Sequence, residues 1–161
     1  MKLQLPHLPA FALALVVSAP AVAQEPKMQG TWRIDRTRNE AAARAAGPGR
    51  AGGPPANQLG VKLTATEVTI DSDTGSNRTV ETFHYVFDAK EHEQPGPLSW
   101  TTMAKSAWEG AKLSVEIKRT IEGPSGPVTI RMKDVYSIEG DALVIERTQG
   151  RDSWKTYYNR I

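Results

Sequence analysis

Two neighbouring segments, residues 112–121 and 128–138, carry the most regular pattern in the chain. In both, apolar residues alternate with polar ones, which is the two-residue period of a β-strand with one buried and one solvated face. One register makes the two apolar sets coincide. It gives three facing pairs: Ile121 with Val128, Ile117 with Met132, and Leu113 with Tyr136. The chain therefore contains an antiparallel hairpin whose apolar face must be buried against other parts of the protein.

The rest of the chain repeats this pattern in shorter segments, each followed by a turn rich in Gly, Asp, Asn or Pro. The further predicted strands are 28–34, 61–71 as one strand or two short pieces, 78–87, a stub at 91–93, 99–108, 143–148 and 153–160. No amphipathic helix long enough for a βαβ crossover separates them. We predict an all-β fold, an antiparallel up-and-down barrel of about eight or nine strands, because closure removes exposed strand edges. A two-sheet sandwich shares this periodicity and is the alternative.

Residues 35–58 break the strand pattern. This segment allows a short helix through Glu40–Ala46, with Asn39 as its N-cap and Gly47 at its exit. The remainder is rich in Ala, Gly and Pro and offers little apolar surface to offset the entropy of ordering it. We predict a mobile loop here.

The N-terminal residues 1–23 have the features of a secretory signal peptide. Lys2 is their only charge, an apolar core follows, and Ala21-Val22-Ala23 is a small-x-small cleavage site. The apolar run is too short and too rich in proline for a membrane helix. Cleavage would leave 24–161 as a single barrel domain, large enough to bury one core. We expect a secreted, most simply periplasmic, protein with no integral membrane segment.

Composition excludes several classes of chemistry. The chain has no cysteine, so disulfides, thiolate metal sites, cysteine nucleophiles and a lipoprotein anchor are ruled out. Its 20 Lys and Arg nearly balance its 18 Asp and Glu, which is not the charge footprint of a nucleic-acid-binding protein. No nucleophile elbow, zinc-protease motif, phosphate loop or dinucleotide fingerprint is present. We therefore assign no catalytic residue and no cofactor.

Two histidines invite a metal interpretation. His84 and His92, with Glu91 and Glu93, are residue types that bind zinc or copper. One histidine falls on a predicted strand and the other beside a turn, which is typical of surface residues. We assign no metal site.

The two ends of the predicted domain resemble the lipocalin/calycin signature. In that superfamily a first-strand tryptophan stacks under an arginine of the last strand and closes one end of the barrel, a pattern that Gly30-x-Trp32 and Arg160 match. An ordered set of short motifs also resembles a group of bacterial secreted lipocalin-like proteins of unassigned function. These are Gly30-Thr31-Trp32-x-x-Asp35, Tyr85-x-Phe87-Asp88-x-Lys90-Glu91, Ala107-Trp108-Glu109-Gly110-x-Lys112-Leu113, Ile138-Glu139-Gly140-Asp141-x-Leu143 and Tyr157-Tyr158-Asn159-Arg160. The resemblance implies a structural role for Gly30, Trp32 and Arg160.

Two charges fall within the apolar rows of the central hairpin. The register above puts Arg119 and Asp134 on the same face and near each other. A buried charge must be paired or solvated. The two residues are therefore a polar anchor on a pocket wall, an internal ion pair, or charges at a strand end that twists into water.

Two hypotheses of function follow. The first is a lipocalin-like binding protein for a small apolar or amphipathic ligand. Its candidate pocket residues are Phe83, Tyr85, Val115, Ile117, Arg119, Met132, Asp134, Tyr136 and Trp154. The second is a structural or protein-interaction barrel in which the same residues fill a solid core. A central void of roughly 300 Å³ or more favours the first hypothesis.

Overall fold

The computed structural model describes residues 26–46, 55–75, 80–96 and 100–161. The signal peptide predicted at 1–23 and residues 47–54 of the predicted loop lie outside these ranges. A turn of 3-10 helix, Pro26–Met28, precedes the main elements. These are β1 (Gly30–Ile34), α1 (Arg36–Ala46), β2 (Gln58–Leu63), β3 (Glu67–Asp73), β4 (Val80–Val86), β5 (His92–Gln94), β6 (Trp100–Glu109), β7 (Lys112–Gly123), β8 (Gly126–Glu139), β9 (Ala142–Gln149) and β10 (Asp152–Arg160). Within the described ranges, neither helix has the length and apolar character that a membrane crossing requires.

The strands form one antiparallel sheet in the order β4-β3-β2-β1-β10-β9-β8-β7-β6-β5. Neighbours in the sheet are also neighbours along the chain, except that β1 pairs with β10 and so joins the two ends. The sheet curls until β4 contacts β5 and β6, which makes a nearly closed barrel. The prediction of an all-β, antiparallel, up-and-down barrel is confirmed, and one curled sheet takes the place of the sandwich.

The predicted number of strands was too low. Residues 61–71 do not form one strand, because the chain reverses between β2 and β3 at Thr64-Ala65-Thr66. There the Thr64 hydroxyl accepts hydrogen bonds from the backbone N–H groups of Thr66 and Glu67, at 3.3 and 3.1 Å. A threonine turn of this kind contains no Gly, Pro, Asn or Asp, so the usual turn residues do not mark it. The stub near residue 92 is a true strand, β5, paired with β6.

The central hairpin has the register that the apolar pattern predicts. β7 and β8 pair Ile121 with Val128, Ile117 with Met132, and Leu113 with Tyr136. This prediction is confirmed. Leu113 and Tyr136 are buried, and Ile117 is 8% exposed, so the shared face is the inner one.

Helix α1 is longer than predicted and is capped differently. It begins at Arg36, and the Asp35 carboxylate accepts a hydrogen bond from the Arg38 N–H at 3.0 Å, so Asp35 and not Asn39 is the N-cap. The Asn39 side chain instead donates to the Tyr157 carbonyl at 2.8 Å and accepts from the Tyr157 N–H at 3.1 Å. The Arg38 guanidinium lies 4.1 Å from the centre of the Tyr157 ring. These contacts hold α1 against β10.

One end of the barrel is closed by packed side chains, and we call it the closed end. Trp32 is 1% exposed, and its indole N–H donates to the Met28 carbonyl at 2.9 Å. The Arg160 guanidinium lies 4.7 Å from the centre of the Trp32 ring and donates to the Lys27 carbonyl. Gly30 has a φ of +143°, and a Cβ at this position would lie 3.1 Å from Nη1 of Arg160. A glycine therefore lets the arginine reach the tryptophan.

The opposite end carries the turns at 123–126 and 150–151 and the long connection between β1 and β2, and we call it the open end. The largest fully buried side chains include Trp32, Met28, Leu113, Leu143, Val68 and Val115. They belong to one core cluster together with partly buried groups such as Ile138. The core fills the closed half of the barrel and leaves space toward the open end.

Candidate ligand cavity

A cavity of about 450 Å³ lies inside the barrel. Its wall is made by inward-facing side chains of β2 to β10, because alternate residues of each strand point to the barrel axis. Its apolar lining includes Leu59, Ile70, Phe83, Ala104, Ile117 and Ile145, and its charged lining is Glu81, Arg119, Asp134 and Arg147. Hydroxyl and amide groups from Ser72, Gln94, Thr102 and Thr156 lie between them. The barrel is hollow, and its wall mixes apolar and polar surface.

Most of the predicted pocket residues line this cavity. They are Phe83, Tyr85, Ile117, Arg119, Asp134, Tyr136 and Trp154. Val115 is not part of the lining, because its small side chain is completely buried in the core. Met132 is not part of it either, since it packs against the core and borders a groove on the outside of the barrel.

Asp134 forms a buried ion pair, and its partner is Arg147 and not Arg119. Its carboxylate is 1% exposed and accepts two hydrogen bonds from Arg147, from Nε at 2.6 Å and from Nη2 at 2.5 Å. This bidentate geometry is the strongest that an arginine and a carboxylate can form. The pairing raises the pKa of Arg147 above its usual value, with burial opposing the rise. Of the alternatives left open for Arg119 and Asp134, an ion pair between these two residues is therefore not the one that forms.

Sequence reasoning missed Arg147, although a signal was present. Arg147 follows Leu143 and Ile145 at the two-residue period of β9, so it shares their inner face. It lies directly opposite Asp134 in the pairing of β8 with β9. Aligning β9 with β8 in the way that β7 was aligned with β8 would have identified the ion pair.

Arg119 lies in the cavity wall without a carboxylate partner among the described residues. Its guanidinium is 4.8 Å from the centre of the Trp100 ring, and its Nε is 3.4 Å from the Thr102 hydroxyl. Burial lowers the pKa of Arg119 below its usual value, and the nearby charge of Arg147 lowers it further. Both effects mark a cation that has been taken partly out of water without full compensation.

Three tyrosines line the part of the cavity that is nearest to the closed end. Tyr85, Tyr136 and Tyr158 are 5%, 5% and 2% exposed. Tyr85 stacks with Phe83 at 6.2 Å between ring centres and meets Tyr136 at 6.4 Å with tilted rings. Burial raises the pKa of each tyrosine, and the negative charge of Asp134 contributes to the rise. These phenols stay neutral and line the cavity.

Side chains complete the barrel where β4 meets β5 and β6. The Gln94 amide donates to the His84 carbonyl at 2.8 Å, and its oxygen accepts from the His84 N–H at 3.0 Å. The Ser106 hydroxyl donates to the Val86 carbonyl at 2.8 Å. Gln94 is buried and also lines the cavity. One amide side chain therefore replaces a backbone ladder pair at the seam of the barrel.

His84 and His92 do not come together in one site. His92 Nε2 lies 2.8 Å from the Asp88 carboxylate, whereas His84 Nδ1 lies 3.9 Å from Glu67. Within the described ranges, no three His, Cys, Asp or Glu side chains gather closely enough to hold a metal ion. The hydrogen bond from His92 lowers the pKa of Asp88, with a further contribution from the Lys90 N–H.

Comparisons with known proteins show similarity in structure alone. No protein-family model matches the chain, and no curated protein matches its sequence. A secretory abundant heat soluble protein from Ramazzottius varieornatus aligns with a TM-score of 0.57 at 16% identity, covering 84% of this chain and 96% of that one. Lipid binding protein 8 from Caenorhabditis elegans, in its apo form, aligns with a TM-score of 0.56 at 11% identity and the same coverage.

A third similar structure is the fluorescent protein UnaG. It aligns with a TM-score of 0.54 at 17% identity, covering 84% of this chain and 98% of that one. At these identities the likeness concerns the fold. The fold is a calycin-type β-barrel of ten strands with one described α-helix, rather than the eight-stranded barrel typical of lipocalins.

Proposed function

We propose that this protein binds a small amphipathic molecule inside its barrel, with an anionic group of the ligand held by Arg119. The observation that carries the proposal is the cavity of about 450 Å³ with an arginine in its wall, Arg119, that forms no ion pair within the described ranges. Ligand pockets commonly range from roughly 300 to 1,000 Å³ and combine apolar walls with a few polar groups that fix orientation. A cavity of this size supports ligand binding over a filled barrel for protein contacts.

The charges of the wall favour an anion. Asp134 is neutralised by its bidentate pair with Arg147. Glu81 also lines the cavity and favours the charged form of Arg119, but it is an exposed residue and forms no ion pair with Arg119. A guanidinium offers five N–H donors in a planar fork that matches carboxylate, sulfate or phosphate oxygens. Arg119 is therefore the group in the wall that gains most from an anionic ligand.

The rest of the wall favours an apolar ligand body. Phe83, Ile117 and Ile145 offer aliphatic and aromatic surface beside the neutral phenols of Tyr85 and Tyr136. Burying apolar ligand surface there contributes roughly 25 cal/mol for each Å². One structure with a similar fold is named a lipid binding protein, which agrees with a ligand of this character.

The test is a fluorescence titration with a dansyl-labelled undecanoic acid and with its uncharged methyl ester. We expect the acid to bind more tightly than the ester. Arg119→Met should weaken binding of the acid by about tenfold to a hundredfold, because hydrogen bonds to charged groups contribute roughly 1.5–3 kcal/mol. Arg131→Met, which removes an exposed arginine of the outer face, is the matched control. Equal binding of acid and ester, or equal effects of the two variants, would contradict the anion site.

We also propose that residues 1–23 are a signal peptide and that the protein is secreted, in a Gram-negative cell to the periplasm. The motif Ala21-Val22-Ala23 supports this proposal. Intact mass spectrometry of the protein purified from its own host should give a chain that begins at Gln24. The same spectra under native conditions would detect a ligand that copurifies. A chain that retains residues 1–23 would contradict cleavage.

A further inference from the structure

The hairpin of β7 and β8 extends beyond the strands beside it. β7 and β8 stay paired as far as Gly123 and Gly126, whereas the pairing of β8 with β9 ends at Met132. On the other side, β6 pairs with β7 as far as Ile121. In the described part of the chain, residues 126–131 of β8 therefore have β7 as their single strand neighbour. The end of this hairpin projects from the open end of the barrel.

The projecting end of the hairpin is apolar. Among its ten residues, 121–130, Glu122 is the sole charged side chain. Val128 is 57% exposed, which makes it the most exposed large hydrophobic residue of the described ranges. Pro124 and Pro127 are also exposed. Water solvates such a surface poorly, so it gains free energy when a partner covers it.

A basic band lies just behind this apolar end. Lys118 and Arg131 are directly opposite each other on the outer face of the hairpin. Like charges in this arrangement repel and destabilise a strand pair. Neither forms an ion pair with any residue of the described ranges. The groove around them contains two further bases, Lys105 and Lys133, against the acids Glu91 and Glu116.

The spacing of these two features fits a lipid surface. Arg131 is three residues from Val128, which is about 10 Å along a strand. Segments that bind at a bilayer interface place apolar groups roughly 5–10 Å into the boundary of the acyl chains. Their basic residues then lie level with the phosphates of anionic lipids. A nucleic acid would use the basic band but would leave the apolar end uncovered.

We propose that the β7–β8 hairpin docks on the anionic surface of a lipid bilayer, with the apolar end at the interface and Lys118 and Arg131 on lipid headgroups. Arg119 lies on the same hairpin, on the face that lines the cavity. Docking therefore brings the cavity close to the bilayer, where amphipathic molecules partition. The exchange of ligand with the bilayer rests on the proposed function, whereas the docking itself does not.

The experiment is vesicle flotation of the full mature chain. Vesicles of phosphatidylcholine with phosphatidylglycerol supply an anionic surface, and vesicles of phosphatidylcholine alone supply a neutral one. We expect the protein to float with the anionic vesicles and to be released by high salt, because salt screens the headgroup charge. Lys118→Gln with Arg131→Gln should lower the partition coefficient by roughly 25-fold, about fivefold for each base. Val128→Ser should lower it by about tenfold, through the loss of apolar burial.

The chain offers matched control variants at the closed end. Lys112 lies on the same strand and outer face as Lys118, and Lys90 is exposed in the turn before β5, so Lys112→Gln with Lys90→Gln removes equal charge. Ile161 is 56% exposed, and Ile161→Ser removes an equally exposed apolar residue. These controls should leave flotation within about twofold of the wild type. Glu122→Gln should increase flotation, because it removes a negative charge from the docking end.

Three outcomes would overturn the docking surface. They are no flotation of the wild type with anionic vesicles, equal flotation with neutral vesicles, and equal losses in the hairpin variants and their controls. Binding of dansyl-undecanoic acid, measured without vesicles, separates this proposal from the cavity. Hairpin variants that stop floating but still bind the probe would support docking, and they would show that the fold is intact.

Discussion

The two ends of this barrel use the same pair of residue types, a tryptophan and an arginine, in opposite ways. At the closed end, Arg160 lies over Trp32 and also donates to a backbone carbonyl, and Trp32 is completely buried. At the open end, Arg119 lies over Trp100, both are only partly buried, and Arg119 lines a cavity. At the closed end, the polar groups of Trp32 and Arg160 have hydrogen-bond partners within the protein. The open pair keeps hydrogen-bonding capacity for a ligand.

This difference divides the expected effects of mutations. Changes at the closed end should lower the free energy of unfolding and leave ligand affinity unchanged wherever the protein is folded. Changes at Arg119 should weaken ligand binding and leave the free energy of unfolding nearly unchanged. The Asp134–Arg147 pair lies between them, since it lines the cavity and is also a buried structural contact.

Trp32→Ala should have the largest effect on stability. Removing a large buried aromatic side chain costs about 3–5 kcal/mol, through lost apolar burial and the cavity that remains. We expect the melting temperature, followed by circular dichroism, to fall by roughly 10 °C or more. Binding of the dansyl acid at low temperature should be unchanged.

Trp154→Ala is the matched control at the open end. Trp154 lines the cavity and is only partly buried, so its loss should cost about 1 kcal/mol and should weaken binding. If Trp154→Ala destabilised the protein as much as Trp32→Ala, the division between the two ends would be wrong.

Asp134→Asn should have the second largest effect. It leaves Arg147 without its carboxylate, and breaking a buried pair from one side typically costs about 3–5 kcal/mol. The Arg147 side chain is 37% exposed, so water can replace part of the lost interaction and the lower limit applies. Urea unfolding measures the change.

The double variant Asp134→Leu with Arg147→Met, which replaces both partners by apolar side chains, tests the origin of that cost. If the uncompensated charge is responsible, removing both partners should restore most of the stability, to within about 1 kcal/mol of the wild type. A double variant less stable than Asp134→Asn would show that Arg147 stabilises the barrel through other contacts.

The sequence predicted the closed end better than the open end, and the reason is physical. Register follows from apolar periodicity, because a slip of one residue would turn every buried side chain of β7 and β8 outward. The lipocalin/calycin resemblance implied that an arginine of the last strand stacks on a tryptophan of the first strand. The structure has this contact between Arg160 and Trp32, beside Gly30. One feature of the closed end was missed, the reversal at Thr64, because a hydroxyl makes that turn, with none of the residues that usually mark one.

The open end depends on pairs that a single hairpin does not reveal. Arg119 and Asp134 were singled out correctly as charges on an inner face, but the partner of Asp134 comes from β9. Both Arg119 and Arg147 lie on the inner face near Asp134. Arg147 forms the ion pair because the pairing of β8 with β9 places it directly opposite Asp134. The length and cap of α1 were missed for a similar reason, since the side chain of Asn39 bonds to Tyr157 of β10 and to the carbonyl of the true N-cap, Asp35.

Gly30→Ala should have a smaller effect than the changes above. An alanine at a φ of +143° is strained, and its Cβ would press on Nη1 of Arg160. We expect a loss of about 1–2 kcal/mol in urea unfolding. Gly60→Ala in the adjacent strand is the control, because its Cβ would meet Asp71 at an ordinary 3.5 Å and its φ is not positive. Equal losses would mean that the effect belongs to any strand glycine and not to the contact of Gly30 with Arg160.

Arg119→Met should have the smallest effect on stability, and its sign is informative. Burial lowers the pKa of Arg119, and the charges of Glu81 and Asp134 offset this only in part, so the folded protein holds an incompletely compensated cation. Methionine keeps much of the apolar stem without that charge, and we expect unfolding free energy within about 0.5 kcal/mol of the wild type or slightly above it. Together with the expected loss of affinity for the dansyl acid, an unchanged or raised melting temperature would identify Arg119 as a residue kept for binding. A loss of more than about 1 kcal/mol would instead make the open pair structural, like Trp32 and Arg160.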